Sequence, residues 1–187
     1  MGKVISLINT TPDGFADALY VTPDAEYFEF TQSLLQGTST VAFGRNTFEL
    51  FQNIWPPRLQ KENSTEWQMK MARALTDISK VVYSSTLKTT TWNNSTIVQK
   101  MDAEHINSYK QGGRGGLLTL GSPALVAALT GMKLIDDYYF CIQPLIAGNG
   151  GVRLFDKVKL DTHCPLKYVD STQLKSGVYI LHYQPVN

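Results

Sequence analysis

The 187 residues carry a net charge of +1, with 43% hydrophobic and 18% charged side chains. That is enough chain to bury one core without metal or disulfides, and it is too apolar for a disordered segment. Lys and Arg are spread along the chain, so no basic face for nucleic acid is indicated, and two cysteines without paired spacing predict a reducing, cytoplasmic setting.

Residues 4–8 read as a short buried strand, too short for a signal-peptide core or a membrane span. Residues 1–6 also match a loose myristoylation pattern, but the strand is the reading adopted. Thr22-Pro23-Asp24 predicts a helix start, with Thr22 as the capping hydroxyl, Pro23 at the first helical position and Asp24 in the first turn. Tyr27, Phe28, Thr31, Leu34 and Leu35 share one face of that helix, and Gly37 closes it. Residues 41–43 form the next apolar run, ending at Gly44-Arg45. A short helix follows through Phe48 and Phe51 and is expected to stop before Pro56-Pro57. Trp67, Met71 and Leu75 predict another helix, opened by a capping box of Thr65 and Gln68.

Residues 81–83 and 96–98 read as strands, and residues 102–110 as a helix closed by Gly112-Gly113. Residues 117–120 are a further strand. Gly121-Ser122-Pro123 then opens a helix carrying Leu125, Val126, Leu129 and Met132. A long strand is expected over residues 138–146 and a last one over 178–183, preceded by a Lys175-Ser176-Gly177 turn. With no repeat or linker to divide it, 1–187 reads as one α/β domain.

Such a sheet places its ligand crevice at the carboxyl ends of its parallel strands, which points to the loops after Ile8, Phe43, Tyr83 and Leu120. The Rossmann and P-loop fingerprints are both missing. The glycine-rich stretch 112–116 precedes a strand and reads as a turn at the wrong end of the sheet. Gly44-Arg45-Asn46-Thr47 combines a glycine at a strand end, a helix N-terminus and a guanidinium suited to phosphate. Gly121-Ser122-Pro123 repeats the design with a serine whose hydroxyl and neighbouring amides suit a pyrophosphate, and Ser84-Ser85-Thr86 adds hydroxyls at a third strand end. Each alone fits an ordinary cap or turn. Together they suggest a phosphate-bearing ligand.

The ordered set of motifs resembles the dihydrofolate-reductase-like superfamily, in the branch containing the reductase domain of the bifunctional riboflavin-pathway deaminase-reductase. The matching stretches are Asp13-Gly14-Phe15, the Gly44-Arg45-Asn46-Thr47 segment, Ser84-Ser85-Thr86, Gly121-Ser122-Pro123, and Leu134-Ile135-Asp136-Asp137 continuing through Gln143-Pro144 to Arg153-Leu154-Phe155. The resemblance implies a three-layer fold with a mostly parallel central sheet, flanking helices and an antiparallel C-terminal hairpin. It also implies NADPH across the sheet's carboxyl edge, reduction of a small heterocycle such as a phosphoribosylamino-uracil or a pterin, and a homodimer. Gly44, Arg45 and Thr47 match the adenosine and 2′-phosphate side. Ser84, Ser85 and Thr86 flank the adenosine, and Gly121 and Ser122 lie under the pyrophosphate. The chain departs from the pattern in having Gly121-Ser122 for a double glycine, Thr11-Pro12 for Ser-Leu before Asp-Gly, and no deaminase domain.

Reducing a C=N bond needs a hydride and a proton source. Asp24 is the first candidate, because an acid with Phe28 four residues on resembles the substrate-facing helix of dihydrofolate reductase; plain helix-start chemistry is the competing reading. Asp13, on a loop that could close over the nicotinamide, is the second. Glu49 is expected at the surface or paired with a cation. His105, His163 and His182 share no ligand spacing, so no metal site is expected and they read as surface or strand residues. Trp55, Trp67 and Trp92 are too scattered for a stacking platform and read as core. A non-catalytic nucleotide-binding protein that keeps the fold is the alternative function.

Overall fold

All four residues of Leu117–Leu120 are buried, the mark of a strand covered by helices on both faces. This strand, β5, lies near the centre of a sheet that contains β1 (Val4–Thr10), β2 (Thr40–Gly44), β3 (Ser79–Tyr83), β4 (Ser95–Val98), β6 (Asp137–Ile142), β7 (Leu166–Gln173) and β8 (Tyr179–Pro185). The computed structural model describes residues 2–111, 115–149 and 151–186. Residues 112–114 of the predicted glycine-rich turn lie outside that set. Strand order is β4-β3-β2-β5-β1-β6-β8-β7. The first six in that order run parallel, and β8 and β7 close the edge as an antiparallel hairpin.

The period-two alternation of each strand divides its side chains between two cores. Leu7, Val41, Phe43, Val82, Leu118 and Cys141 face the helices α1 (Ala25–Gln36), α2 (Arg45–Arg58) and α3 (Glu66–Asp77). Val4, Ile8, Ala42, Val81, Leu117 and Tyr138 face α4 (Ala103–Gln111) and α5 (Pro123–Gly131). Each fully buried large apolar side chain contributes about 1.5–3 kcal/mol, so this sorting dominates the choice of fold. Among the described residues, no helix is long and apolar enough to cross a membrane.

Three boundary departures from the sequence reading have a clear physical cause. Asp24, not Thr22, is the N-cap of α1; its carboxylate accepts from the Tyr27 amide at 2.7 Å. Helix α2 runs through Pro56 and Pro57 to Arg58 instead of stopping before them. Both prolines fall in the last turn, so the i−4 bonds they forfeit lie at the very end of the helix, and Trp55 anchors that turn in the core. Strand β6 ends at Ile142 because Gln143 turns inward, fully buried, and Pro144 has no N–H to continue the ladder. The capping box at Thr65 and Gln68 forms as expected.

His182 is not at the surface. Its Nε2 lies 2.8 Å from Asp137 Oδ1, its Nδ1 faces Asp170 at 3.4 Å, and its ring stacks on Tyr139 at 4.2 Å. Gln184 also donates to Asp137 Oδ1 at 2.8 Å, and the charge of Lys3 sits 2.8 Å from Oδ2. One carboxylate thus joins β6, β8 and the residues before β1. Burial alone would raise the Asp137 pKa; the contacts from Lys3, Gln184 and His182 outweigh it and hold the group below the usual value of 3.8. Its stabilisation is therefore complete above that value and is lost as pH falls through the lower folded one. Asp137→Ala is expected to lower the unfolding free energy by about 3–5 kcal/mol in urea titration, the range for a buried charge cluster that loses its anion. An Asp137→Asn variant is expected to show a flatter loss of stability in acid than the unaltered chain.

Candidate functional site

The carboxyl ends of β1, β2, β3 and β5 face the same way because those strands are parallel, and two cavities lie across them. The wider, about 590 Å³, runs from Tyr83 at the end of β3 past Gly44, Arg45 and Thr47 to Ser122 and Pro123, then on to Ala16 and Asp17 after β1. The second, about 340 Å³, opens between α1, α2 and α3 and is walled by Phe28, Phe51, Trp55, Trp67 and Met71. Ala16, Asp17, Ala18, Thr47, Leu50, Ser122 and Pro123 line both.

The turn after β5 shapes the wider cavity. Gly121 has φ +63°, and Ser122 follows with φ +59°, a left-handed conformation that side chains rarely adopt. Ser122 makes no side-chain cap to α5. Its Oγ instead accepts from the Gly44 amide at 3.0 Å, joining the turns after β5 and β2. The hydroxyl expected to meet a ligand is therefore engaged, while the first turn of α5 keeps amides that no side chain caps. That is the arrangement that attracts anions.

At the other end, Arg45 donates from Nη1 to Thr86 Oγ1 at 2.9 Å and pairs through Nε with Glu49 at 3.2 Å. The segments after β2 and β3 are thereby brought together, and Glu49 meets its expected cation. Ser84, Ser85 and Thr86 line neither cavity. Ser84 is buried and its Oγ accepts from the amides of Thr86 and Leu87, so it holds the turn. Gly121 lines the narrower cavity.

The structure places the two expected acids in structural roles. Asp24 lines neither cavity; its carboxylate is the α1 cap described above. Asp13 accepts from Thr11 Oγ1 at 2.6 Å and from the amides of Gly148 at 2.8 Å and Ala147 at 3.2 Å, clasping the loop after β1 to the loop after β6. Led by the Thr11 hydroxyl, these donors hold its carboxyl at about 2. Both oxygens of the carboxylate are engaged in that clasp.

Asp17, which the sequence reading passed over, is the carboxylate on the shared wall; its Oδ1 accepts from the Leu19 amide at 3.0 Å. Asn9, at the end of β1, donates to Tyr27 Oη at 2.7 Å and accepts from Gln143 Nε2 at 2.8 Å, while Gln143 accepts from the Thr22 amide. This chain fixes the polar corner of the narrower cavity. Phe28 lines the narrower cavity. Trp55 belongs to the core and Trp67 packs against it, as expected; Phe28 stacks on Trp67 at 4.5 Å and meets Trp55 edge-on at 5.4 Å. The signal available was the position of all three on the inward faces of adjacent predicted helices. No cluster of three or more metal-ligating side chains occurs among the described residues.

If the Asp13 clasp holds the loop after β6, Asp13→Asn removes the charge that both amides point to. Hydrogen exchange at Ala147 and Gly148 is expected to quicken by about tenfold, with the exchange of β5 amides unchanged.

Comparison with known proteins agrees with this architecture. The uncharacterized protein YyaP of Bacillus subtilis (strain 168) is 23% identical over 188 residues, which cover 97% of this chain and 94% of YyaP. A pyrimidine reductase-like protein of Corynebacterium diphtheriae superposes with a TM-score of 0.66 at 10% identity, covering 100% of this chain and 92% of its own. RibD of Acinetobacter baumannii superposes with a TM-score of 0.71 at 14% identity, covering 100% of this chain and 59% of RibD. The likeness to these two structures is one of fold. The sequence itself matches the RibD C-terminal domain over residues 3–180, so the chain belongs to the RibD C-terminal domain family.

Proposed function

We propose that the chain is an NADPH-dependent reductase that transfers hydride to a C=N bond of a small heterocycle. The observation that carries this reading is the pair of cavities sharing one wall at the carboxyl edge of the sheet, one bordered by a free helix N-terminus and Arg45, the other by aromatic rings. The family and the reductase-like relatives agree with it. The residues present fit the cofactor: the uncapped first turn of α5 suits the pyrophosphate, and Arg45 on the wall of the wider cavity suits a 2′-phosphate. When bound, NADPH supplies the hydride.

The chain's own residues do the rest. Thr47, Leu50 and Pro123 form the floor on which both ligands meet. Phe28, Trp55 and Trp67 line the substrate cavity with apolar side chains, and these walls exclude water from the reacting face. Asp17 uses one oxygen on the Leu19 amide and offers the other to a ring nitrogen, where a carboxylate favours the protonated form.

Two measurements test the reading. Arg45→Ala is expected to lower NADPH affinity by about tenfold and to leave NADH affinity unchanged, since the lost partner is a partly exposed charge-assisted bond. Equal binding of the two cofactors by the unaltered chain would remove the assignment. For the chemistry, Asp17→Asn keeps a capping side chain and is expected to lower turnover about a hundredfold. Asp24→Asn, also a good cap, is expected to leave turnover per folded molecule intact. The reverse pattern would return the proton role to Asp24.

A further inference from the structure

A second pair of cavities shares no lining residue with the crevice. One, about 620 Å³, lies where β1, β6 and β7 begin, at the edge of the sheet opposite the crevice, and carries Lys3, Lys110 and Lys133 with one acid, Asp136. The other, about 250 Å³, lies against residues 155–166 and is walled by Phe140, Phe155, Val158, Leu160 and Leu166. Tyr138, His163 and Cys164 line both, so a cationic space and an apolar one adjoin.

The charges of the cationic cavity are unequally committed. Asp136 accepts from the Val4 amide at 2.8 Å and pairs with Lys110 at 2.8 Å. Lys3 pairs with Asp137, whose buried carboxylate does not line the cavity. Lys133 is exposed, and its ammonium has no partner among the described residues. It also takes the left-handed position just past α5, with φ +56°, where glycine or asparagine is the usual residue. A chain of net charge +1 thus sets three lysines against one aspartate on a single wall. In the apolar cavity the hydroxyls are already satisfied: Tyr138 donates to Thr130 Oγ1 at 3.0 Å, and Thr130 donates to the Val126 carbonyl at 2.8 Å. At its rim Phe155 and Leu166 stay exposed.

We propose that these adjoining cavities bind a monoanionic amphiphile, a single carboxylate carried on a hydrocarbon chain. The chain lies among Phe140, Val158, Leu160 and Leu166, and the carboxylate lies at Lys133, with Tyr138 and His163 at the junction. One uncommitted cation favours one negative charge, and the Asp136 carboxylate on the same wall opposes the double charge of a phosphate monoester. Apolar burial supplies most of the affinity, and the cation sets the orientation. The site is separate from the reductase crevice and does not depend on what that crevice binds.

Octanoate titrated into the full chain and followed by amide NMR tests this. Saturable shifts are expected at Lys133, Leu160, His163 and Cys164, while Trp67 and Met71, which line the narrower crevice cavity, stay unmoved. Hexanoate is expected to bind about fifteenfold more weakly, from the two methylenes withdrawn. The alcohol 1-octanol, which keeps the tail and lacks the charge, is expected to bind about fivefold more weakly, the upper range for an exposed ion pair. Lys133→Asn keeps a residue that tolerates the left-handed backbone and is expected to bring octanoate down to the affinity of the alcohol. The absence of saturable shifts, an alcohol that binds as tightly as octanoate, a Lys133→Asn variant that binds octanoate unchanged, or shifts confined to Trp67 and Met71 overturns the proposal. So does a chain that sediments as a dimer and shows no octanoate shifts, which gives the apolar rim to a second copy.

Discussion

Ser122 holds its backbone in a left-handed conformation and gives its hydroxyl to the Gly44 amide. Those two facts govern the carboxyl edge of the sheet. The left-handed pair Gly121-Ser122 turns the chain sharply enough to start α5 directly at the strand end. The diverted hydroxyl leaves the first turn of that helix without its usual side-chain cap. Backbone strain of this kind costs of order 1–3 kcal/mol and persists only where the surroundings over-determine it. Here the surroundings are β5, buried at every residue, and the hydrogen bond to the neighbouring turn. A helix N-terminus kept free at the junction of two cavities is the arrangement that attracts anions.

The acids near that edge are used to hold it in place. Asp13 clasps two loops, Asp24 and Asp17 cap helical turns, and Asp137 gathers Lys3, His182 and Gln184 at the opposite side of the molecule. Among the first three, only Asp17 also lies on a cavity wall. The narrower cavity therefore owes its character to aromatic packing among α1, α2 and α3, with the Asn9–Gln143–Tyr27 chain as its fixed polar corner.

What could be read from the sequence was local. Apolar runs flanked by helical periodicity marked the parallel strands, and the residues just after them, Gly44-Arg45 and Gly121-Ser122, marked the crevice because a parallel sheet leaves little choice. The capping box of α3 is a four-residue pattern, Thr65 to Gln68, and formed as read. What could not be read depended on partners far along the chain. His182 looks like any strand histidine until β6 places Asp137 beside it. Trp55 and Trp67 look scattered until α2 and α3 pack on α1. Local rules also failed where packing overrode them: Pro56 and Pro57 should end a helix, yet the buried Trp55 carries α2 through them. Asp24 had the correct neighbourhood for a substrate acid, but its carboxylate bonds to the backbone three residues on, a choice that spacing alone does not reveal.

The central claim is that the uncapped first turn of α5 receives the cofactor's phosphates. Amide hydrogen exchange read by NMR, with and without saturating NADPH, tests it residue by residue. The account predicts slowed exchange at Ala124 and Leu125, the first amides after Pro123, with β7 unaffected. NADPH that slows neither amide, or that protects only segments away from the ends of β2 and β5, would contradict it.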